Sequence, residues 1–163
     1  MRVSLLIVIA AMAAFAIPVG GQAKAVDEAE DLQICQTGDK LDVSVAACTR
    51  FIQAGSLDPD DMATAYLSRG SIYMQKDDCA HAIPDFGETL RLGRDELYAY
   101  ALRGVCQFRA KQYDQAIADY TEALKLGPDS DLLDHRAQAY EAKGDHADAA
   151  TDKAAEAKLR ESK

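Results

Sequence analysis

One short pattern returns along this chain at a nearly constant interval. Tyr66-Leu67-Ser68-Arg69-Gly70 reappears 34 residues later as Tyr100-Ala101-Leu102-Arg103-Gly104. Ala82-Ile83-Pro84-Asp85-Phe86 reappears at the same shift as Ala116-Ile117-Ala118-Asp119-Tyr120. A third copy, 33 residues on from the second, carries Arg136-Ala137, Tyr140, Gly144-Asp145, Ala149 and Asp152. A weaker copy lies upstream, where Ser44-Val45-Ala46-Ala47-Cys48-Thr49 matches Ala116 to Thr121 and Gly55 matches Gly127. A unit this short cannot bury its own apolar face, so the units must stack into a solenoid.

Each unit reads as two helices. In the best-marked one, Leu97–Arg109 and Tyr113–Leu126 are helical, with Ala110-Lys111-Gln112 turning between them. Tyr100, Gly104 and Phe108 recur at four-residue steps, as do Ile117, Tyr120, Ala123 and Leu124 at three or four. Asp58-Pro59 is an N-cap followed by proline at the first helical position. Gly93 and Gly127 suit left-handed C-caps, Pro128 forbids continuation, and Asp129 or Ser130 caps the next helix. Gly70 and Gly104 allow close helix approach, as do Ala82, Ala116 and Ala149 on the second helices. Aromatic rings at Tyr66, Tyr73, Phe86, Tyr100 and Tyr120 fill the wider gaps. Composition agrees: only 4 Pro and 10 Gly, with 48% hydrophobic and 28% charged residues, favour a helical globular chain.

These residues resemble the tetratricopeptide repeat family. Gly104, Tyr113, Ala116, Tyr120, Ala123 and Pro128 fall on its motif positions in the unit 97–129. The unit 63–96 matches through Tyr66, Gly70, Tyr73, Ala82 and Phe86, and departs at Thr89 and Arg94. The unit 130–163 keeps Tyr140, Gly144 and Ala149, but has Ala137 for Gly and Lys153 for the aromatic. Residues 26–57 read as a degenerate N-terminal helical hairpin, leaving about three units in 58–163. The resemblance implies an all-α fold, an α-α superhelix of stacked antiparallel helix pairs.

The N-terminus reads as an export signal. Arg2 gives the positive start, and Val3 to Ile17 is an apolar run interrupted only by Ser4. Pro18, Gly20 and Gly21 break it, and Ala23-Lys24-Ala25 is a small-x-small cleavage pattern. The run is shorter than the ~20 residues a membrane span needs. Residues 1–25 are therefore expected to be removed, leaving a periplasmic or secreted chain without stable membrane insertion. With 18 basic against 27 acidic residues the net charge is −9, which argues against nucleic acid and anionic lipid surfaces. The Cys-bearing hairpin ahead of the repeats looks like an exported bacterial member of the family.

An oxidising compartment makes cystine the first reading of Cys35, Cys48, Cys79 and Cys106. In the repeat alignment, Cys35 and Cys48 lie at equivalent depths on the two helices of the first hairpin. Cys79 opens the second helix of one repeat, and Cys106 lies in the helix packed against it. Bonds Cys35–Cys48 and Cys79–Cys106 are favoured, although four cysteines allow three connectivities.

No common catalytic motif is present: no Gly-x-Ser-x-Gly, no His-Glu-x-x-His and no phosphate loop. Asp77-Asp78, Asp60-Asp61 and Asp129 with Asp131 stand at helix starts, where carboxylates favour the dipole. Cys79 and His81 have no second Cys/His pair at zinc-like spacing. His81, His135 and His146 read as solvent-facing. The chain is expected to be non-catalytic and to carry neither cofactor nor metal.

The resemblance implies partner binding along the concave face, formed by the first helix of each pair. Leu67, Ser68, Ser71 and Met74 would line it from one repeat. Tyr98, Ala101, Leu102, Val105 and Phe108 follow from the next, then Asp131, Asp134, His135, Gln138 and Glu141. Ser68, Leu102 and His135 stand where carboxylate-gripping family members commonly have Asn, and this chain has no Asn at all. The expected partner is an apolar or basic peptide, seated at Met74 and Phe108 with its charge near Asp134 and Glu141. The leading reading is an adaptor for a protein or peptide. A structural accessory subunit of an envelope complex or enzyme is the alternative, and a hydrolase with an unrecognised site the third. The helix near Asp145–Glu161, rich in Ala and charge, reads as the cap that ends the stack.

Overall fold

The computed structural model describes the backbone of residues 19–161, and side chains from Asp27 onward. Among the described residues, eight helices follow one another: α1 (Val19–Thr37), α2 (Leu41–Ala54), α3 (Pro59–Gln75), α4 (Cys79–Arg91), α5 (Glu96–Arg109), α6 (Tyr113–Leu126), α7 (Ser130–Lys143) and α8 (His146–Glu161). They form four hairpins, each packed on the next. α1, α3, α5 and α7 touch in succession and make one side of the solenoid. The expected all-α solenoid is the observed architecture. Most of the proposed export signal lies outside the described residues. Where it enters them, α1 runs through Gly20 and Gly21 without a break and continues through Ala25. Pro18 directly precedes its first described residue.

Local chemistry explains the helix limits. The Asp58 carboxylate accepts the Asp60 amide at 2.8 Å, and Asp129 accepts the amides of Asp131 and Leu132. Each hairpin turn holds one residue in the left-handed region: Gly38, Asp77, Lys111 and Gly144. Gly93 does the same at the end of the second hairpin, with φ 71°. Gly127 does not. Its φ of −163° and ψ of 125° are extended, because the following Pro128 excludes helical geometry from the residue before it. A Cβ there would sit 2.9 Å from Leu97 Cδ1, the end of a flexible side chain that has only to shift.

Inside the α3–α4 and α5–α6 hairpins, a glycine and a ring are matched. A Cβ on Gly70 would lie 2.8 Å from the Phe86 ring, and one on Gly104 would lie 2.7 Å from the Tyr120 ring. In the last hairpin both partners change together. Ala137 replaces the glycine and is fully buried, while Lys153 replaces the ring and reaches Glu141. The departure from the repeat pattern is thus one coupled exchange. The first hairpin substitutes a covalent link, Cys35–Cys48. The second expected link is not formed: Cys79 and Cys106 are unbonded and buried in one apolar cluster with Ala82 and Phe86.

Three arginine–aspartate pairs fasten the repeats. Arg69 grips Asp85, Arg103 grips Asp119 and Arg136 grips Asp152, each with two bonds of 2.7–2.8 Å across a separation of 16 residues. The aspartates are nearly buried and the arginines roughly a fifth exposed. Each aspartate therefore holds its guanidinium protonated against the cost of burial. The same arginines cross to the preceding hairpin. Arg69 donates to Thr49 Oγ1 at 3.1 Å and Arg136 to Thr121 Oγ1 at 2.9 Å. At the junction between these two, Gly87 occupies the threonine position, and a Cβ there would stand 3.7 Å from Arg103 Nη1.

Candidate functional site

An apolar concavity lies between α5 and the start of α7. Leu97, Tyr98, Ala101, Leu102 and Val105 form one wall, and Asp129, Asp131, Leu132 and His135 the other, around about 230 Å³. The helical repeat places these residues together, since 98, 101, 102 and 105 share one face of α5. Tyr98 stands at its edge with 64% of its surface in solvent. An exposed tyrosine over an apolar slot offers contact area at small entropic cost to a partner. His135 lines the same wall as Leu132, its imidazole stacked on Tyr120 at 5.7 Å between centroids. Asp131 lies at the rim, 3.5 Å from Arg160 on α8. That pair is exposed on both sides and so holds Asp131 only loosely.

A second, more polar hollow of about 390 Å³ lies where the end of α1 meets α3. Gln36, Thr37, Leu67, Ser68, Ser71 and Gln75 are among its lining residues. The Ser71 hydroxyl donates to the Leu67 carbonyl at 2.8 Å, so its oxygen faces the hollow chiefly as an acceptor.

The residues singled out from the sequence therefore divide. Tyr98, Ala101 and Val105 meet in the apolar groove, together with Leu102, Asp131 and His135. Leu67, Ser68 and Ser71 meet in the polar hollow. Met74 and Phe108 belong elsewhere: Met74 packs on the cluster around Cys79, Phe86 and Cys106, and Phe108 on that around Ala116 and Tyr120. Phe108 also meets the Tyr113 ring at 5.7 Å. Each of these clusters combines the second helix of the residue's own hairpin with the first helix of the next. Glu141 is engaged as well, accepting from Lys153 Nζ at 2.9 Å and contacting His146 Nδ1 at 2.5 Å. Lys153 chiefly, and His146 after it, hold the Glu141 carboxyl below the usual glutamate range. Asp134 accepts from Gln138 at 2.8 Å on its own helix.

The three arginine–aspartate pairs were not singled out by the sequence reading, although a signal was present. Arginine and, 16 residues later, aspartate recur in all three units. That spacing brings residues of antiparallel helices level across a three-residue turn. Among the described residues, no group of three or more His, Cys, Asp or Glu side chains is placed to hold a metal. No described helix is long and apolar enough to cross a membrane.

Comparison with known proteins agrees with this geometry. Residues 97–130 match the tetratricopeptide repeat family. That match covers one helix pair, and the remaining hairpins follow the same helical plan. Among solved structures, one of MamA superposes with a TM-score of 0.77 at 19% identity, over 86% of this chain and 82% of that one. Another, of MamA protein, gives 0.71 at 19% identity, over 80% and 72%. The first tetratricopeptide domain of Spaghetti (RPAP3), bound to the HSP90 peptide SRMEEVD, gives 0.61 at 22% identity, over 76% and 94%. No curated protein sequence matches this chain.

Proposed function

We propose that this protein is a non-catalytic adaptor that binds a protein or peptide partner along the side formed by α1, α3, α5 and α7. The observation that carries this reading is Tyr98, left 64% exposed beside an apolar groove that no part of the described chain fills. The partner chemistry follows from the lining. An apolar side chain sits against Ala101, Leu102, Val105 and Leu132, and a neighbouring cation faces Asp131 at the rim. The chain's net charge of −9 favours encounter with cationic partners. The peptide-bound relative at TM-score 0.61 supports peptide binding as a use of this fold. Its ligand, SRMEEVD, is acidic, whereas the groove here selects the opposite charge.

We place this activity in the periplasm or outside the cell, on the strength of Arg2, the apolar run Val3–Ile17 and the Ala23-Lys24-Ala25 pattern. Two measurements test the proposal. Intact mass of the exported protein is expected to start at Val26, and a full-length mass would remove the compartment. Peptides pairing Leu or Phe with Lys or Arg, titrated by fluorescence anisotropy, are expected to bind wild type. Affinity is expected to fall at least tenfold in Tyr98→Asp and Ala101→Asp. Equal affinity in both variants would remove the groove from the mechanism.

A further inference from the structure

Two buried thiols remain that the binding site does not use. Cys79 is the first residue of α4, and Cys106 lies one turn before the end of α5. These helix ends are held side by side by contacts flanking both cysteines. Arg109, three residues after Cys106, donates to the Met74 carbonyl at 3.4 Å and pairs with Asp77 at 3.5 Å. Cys79 and Cys106 then share one apolar cluster with Phe86 and Ala82, and the Cys79 side chain is a hydrogen-bonding neighbour of the Cys106 thiol. Their exposures differ, 9% for Cys79 and none for Cys106.

We infer that Cys79 and Cys106 form a cross-linking site, which closes to a second disulfide when the protein meets a small disulfide oxidant and so fastens the α3–α4 hairpin to the α5–α6 hairpin. The route follows from accessibility. Cys79, the less buried of the two residues, attacks one sulfur of the oxidant R–S–S–R as its thiolate, forming a mixed disulfide and releasing one RS⁻. Cys106 then loses its proton to solvent base and attacks Cys79 Sγ, releasing the second RS⁻. The two protein thiols lose two electrons and two protons, and one R–S–S–R becomes two RSH. Burial, then the contact with Cys79, pushes the Cys106 thiol up to about 12, so the second step is the slow one at neutral pH. The bond would join residues of different repeats, unlike Cys35–Cys48, which lies within one hairpin. It would also anchor α5, the helix that carries most of the apolar groove.

The test uses the full purified chain equilibrated at pH 8 in excess oxidised over reduced glutathione, quenched in acid, unfolded and alkylated. The expected result is no alkylated thiol in wild type and a linked peptide joining Cys79 to Cys106. Cys79→Ser is expected to give one alkylated thiol, at Cys106. In the oxidising buffer, Cys79→Ser/Cys106→Ser is expected to melt roughly 10 °C below wild type. If that double variant fails to fold, peptide mapping of wild type decides alone. Two alkylated thiols per chain, a glutathione adduct that stays on Cys79, or a linkage of Cys79 to Cys35 or Cys48 would each overturn the inference.

Discussion

Arg103 and Asp119 come from opposite helices of one hairpin and meet in two parallel hydrogen bonds of 2.7 Å. The Asp119 side chain is 7% exposed and that of Arg103 23%. Removing the carboxylate leaves a half-buried cation without its partner. Asp119→Ala is expected to cost about 3 kcal/mol in urea unfolding. Arg103→Met/Asp119→Ala is expected to cost less than the sum of its single variants, because the stranded charge is gone. Simple additivity would mean that the pair is not coupled.

Two glycines should respond to alanine in opposite directions. At Gly104 a Cβ lies 2.7 Å from Tyr120 Cε1, against a buried ring with no room to move. Gly104→Ala is expected to destabilise by roughly 1–3 kcal/mol. At Gly87 the nearest atom is Arg103 Nη1 at 3.7 Å, so the new methyl meets no obstacle. Gly87→Ala is expected to stabilise by about 0.5–1 kcal/mol through helix propensity alone. Gly87→Thr would restore the hydroxyl that Arg69 and Arg136 find on Thr49 and Thr121. Midpoints of urea unfolding check all three, and a loss of stability at Gly87→Ala would contradict the packing described.

Legibility in the sequence followed the type of interaction. The period, the helix pairs and the Asp58 and Asp129 caps were readable because each depends on neighbours along the chain. Gly127 was misread because the proline after it holds its backbone extended rather than left-handed. Helical periodicity gives a face, not what covers it, so the packing of Met74 and Phe108 on these clusters was not readable from the sequence. Glu141 was placed at the partner surface for the same reason, its contacts with Lys153 and His146 coming from the next helix. The repeat register put Tyr98, Ala101 and Val105 on one face of α5, and there they line the apolar groove.

The division between groove and core can be measured. Phe108→Ala is expected to cost about 2 kcal/mol of stability, because the ring packs against the Tyr120 cluster. Tyr98→Ala is expected to leave the melting temperature within about 2 °C, since the ring is largely in solvent, and to weaken peptide binding. The reverse pattern would return Phe108 to the binding surface.

Alkaline pH should loosen the reduced protein in a particular range. The Cys106 thiol titrates at about 12 against 9.0 for an ordinary thiol. Between those values the folded chain keeps a proton that the unfolded chain has released. The associated stability is complete below pH 9.0 and declines as pH rises toward about 12. Unfolding midpoints of the chain with Cys79 and Cys106 reduced, at pH 7.5 and pH 10, are expected to separate more in wild type than in Cys106→Ala. Equal separations would contradict the assignment.

The direction in which the arginines reach has a consequence for synthesis. Arg69 on α3 finds Thr49 on α2, and Arg136 on α7 finds Thr121 on α6. Each hydroxyl has left the ribosome before its arginine does, and each aspartate follows 16 residues later. A nascent hairpin therefore meets a finished template on one side and completes its own clamp within a few helical turns of new chain. No link in this ladder waits for a distant segment, so the stack can be assembled in the order in which it is translated, from the first hairpin toward α8.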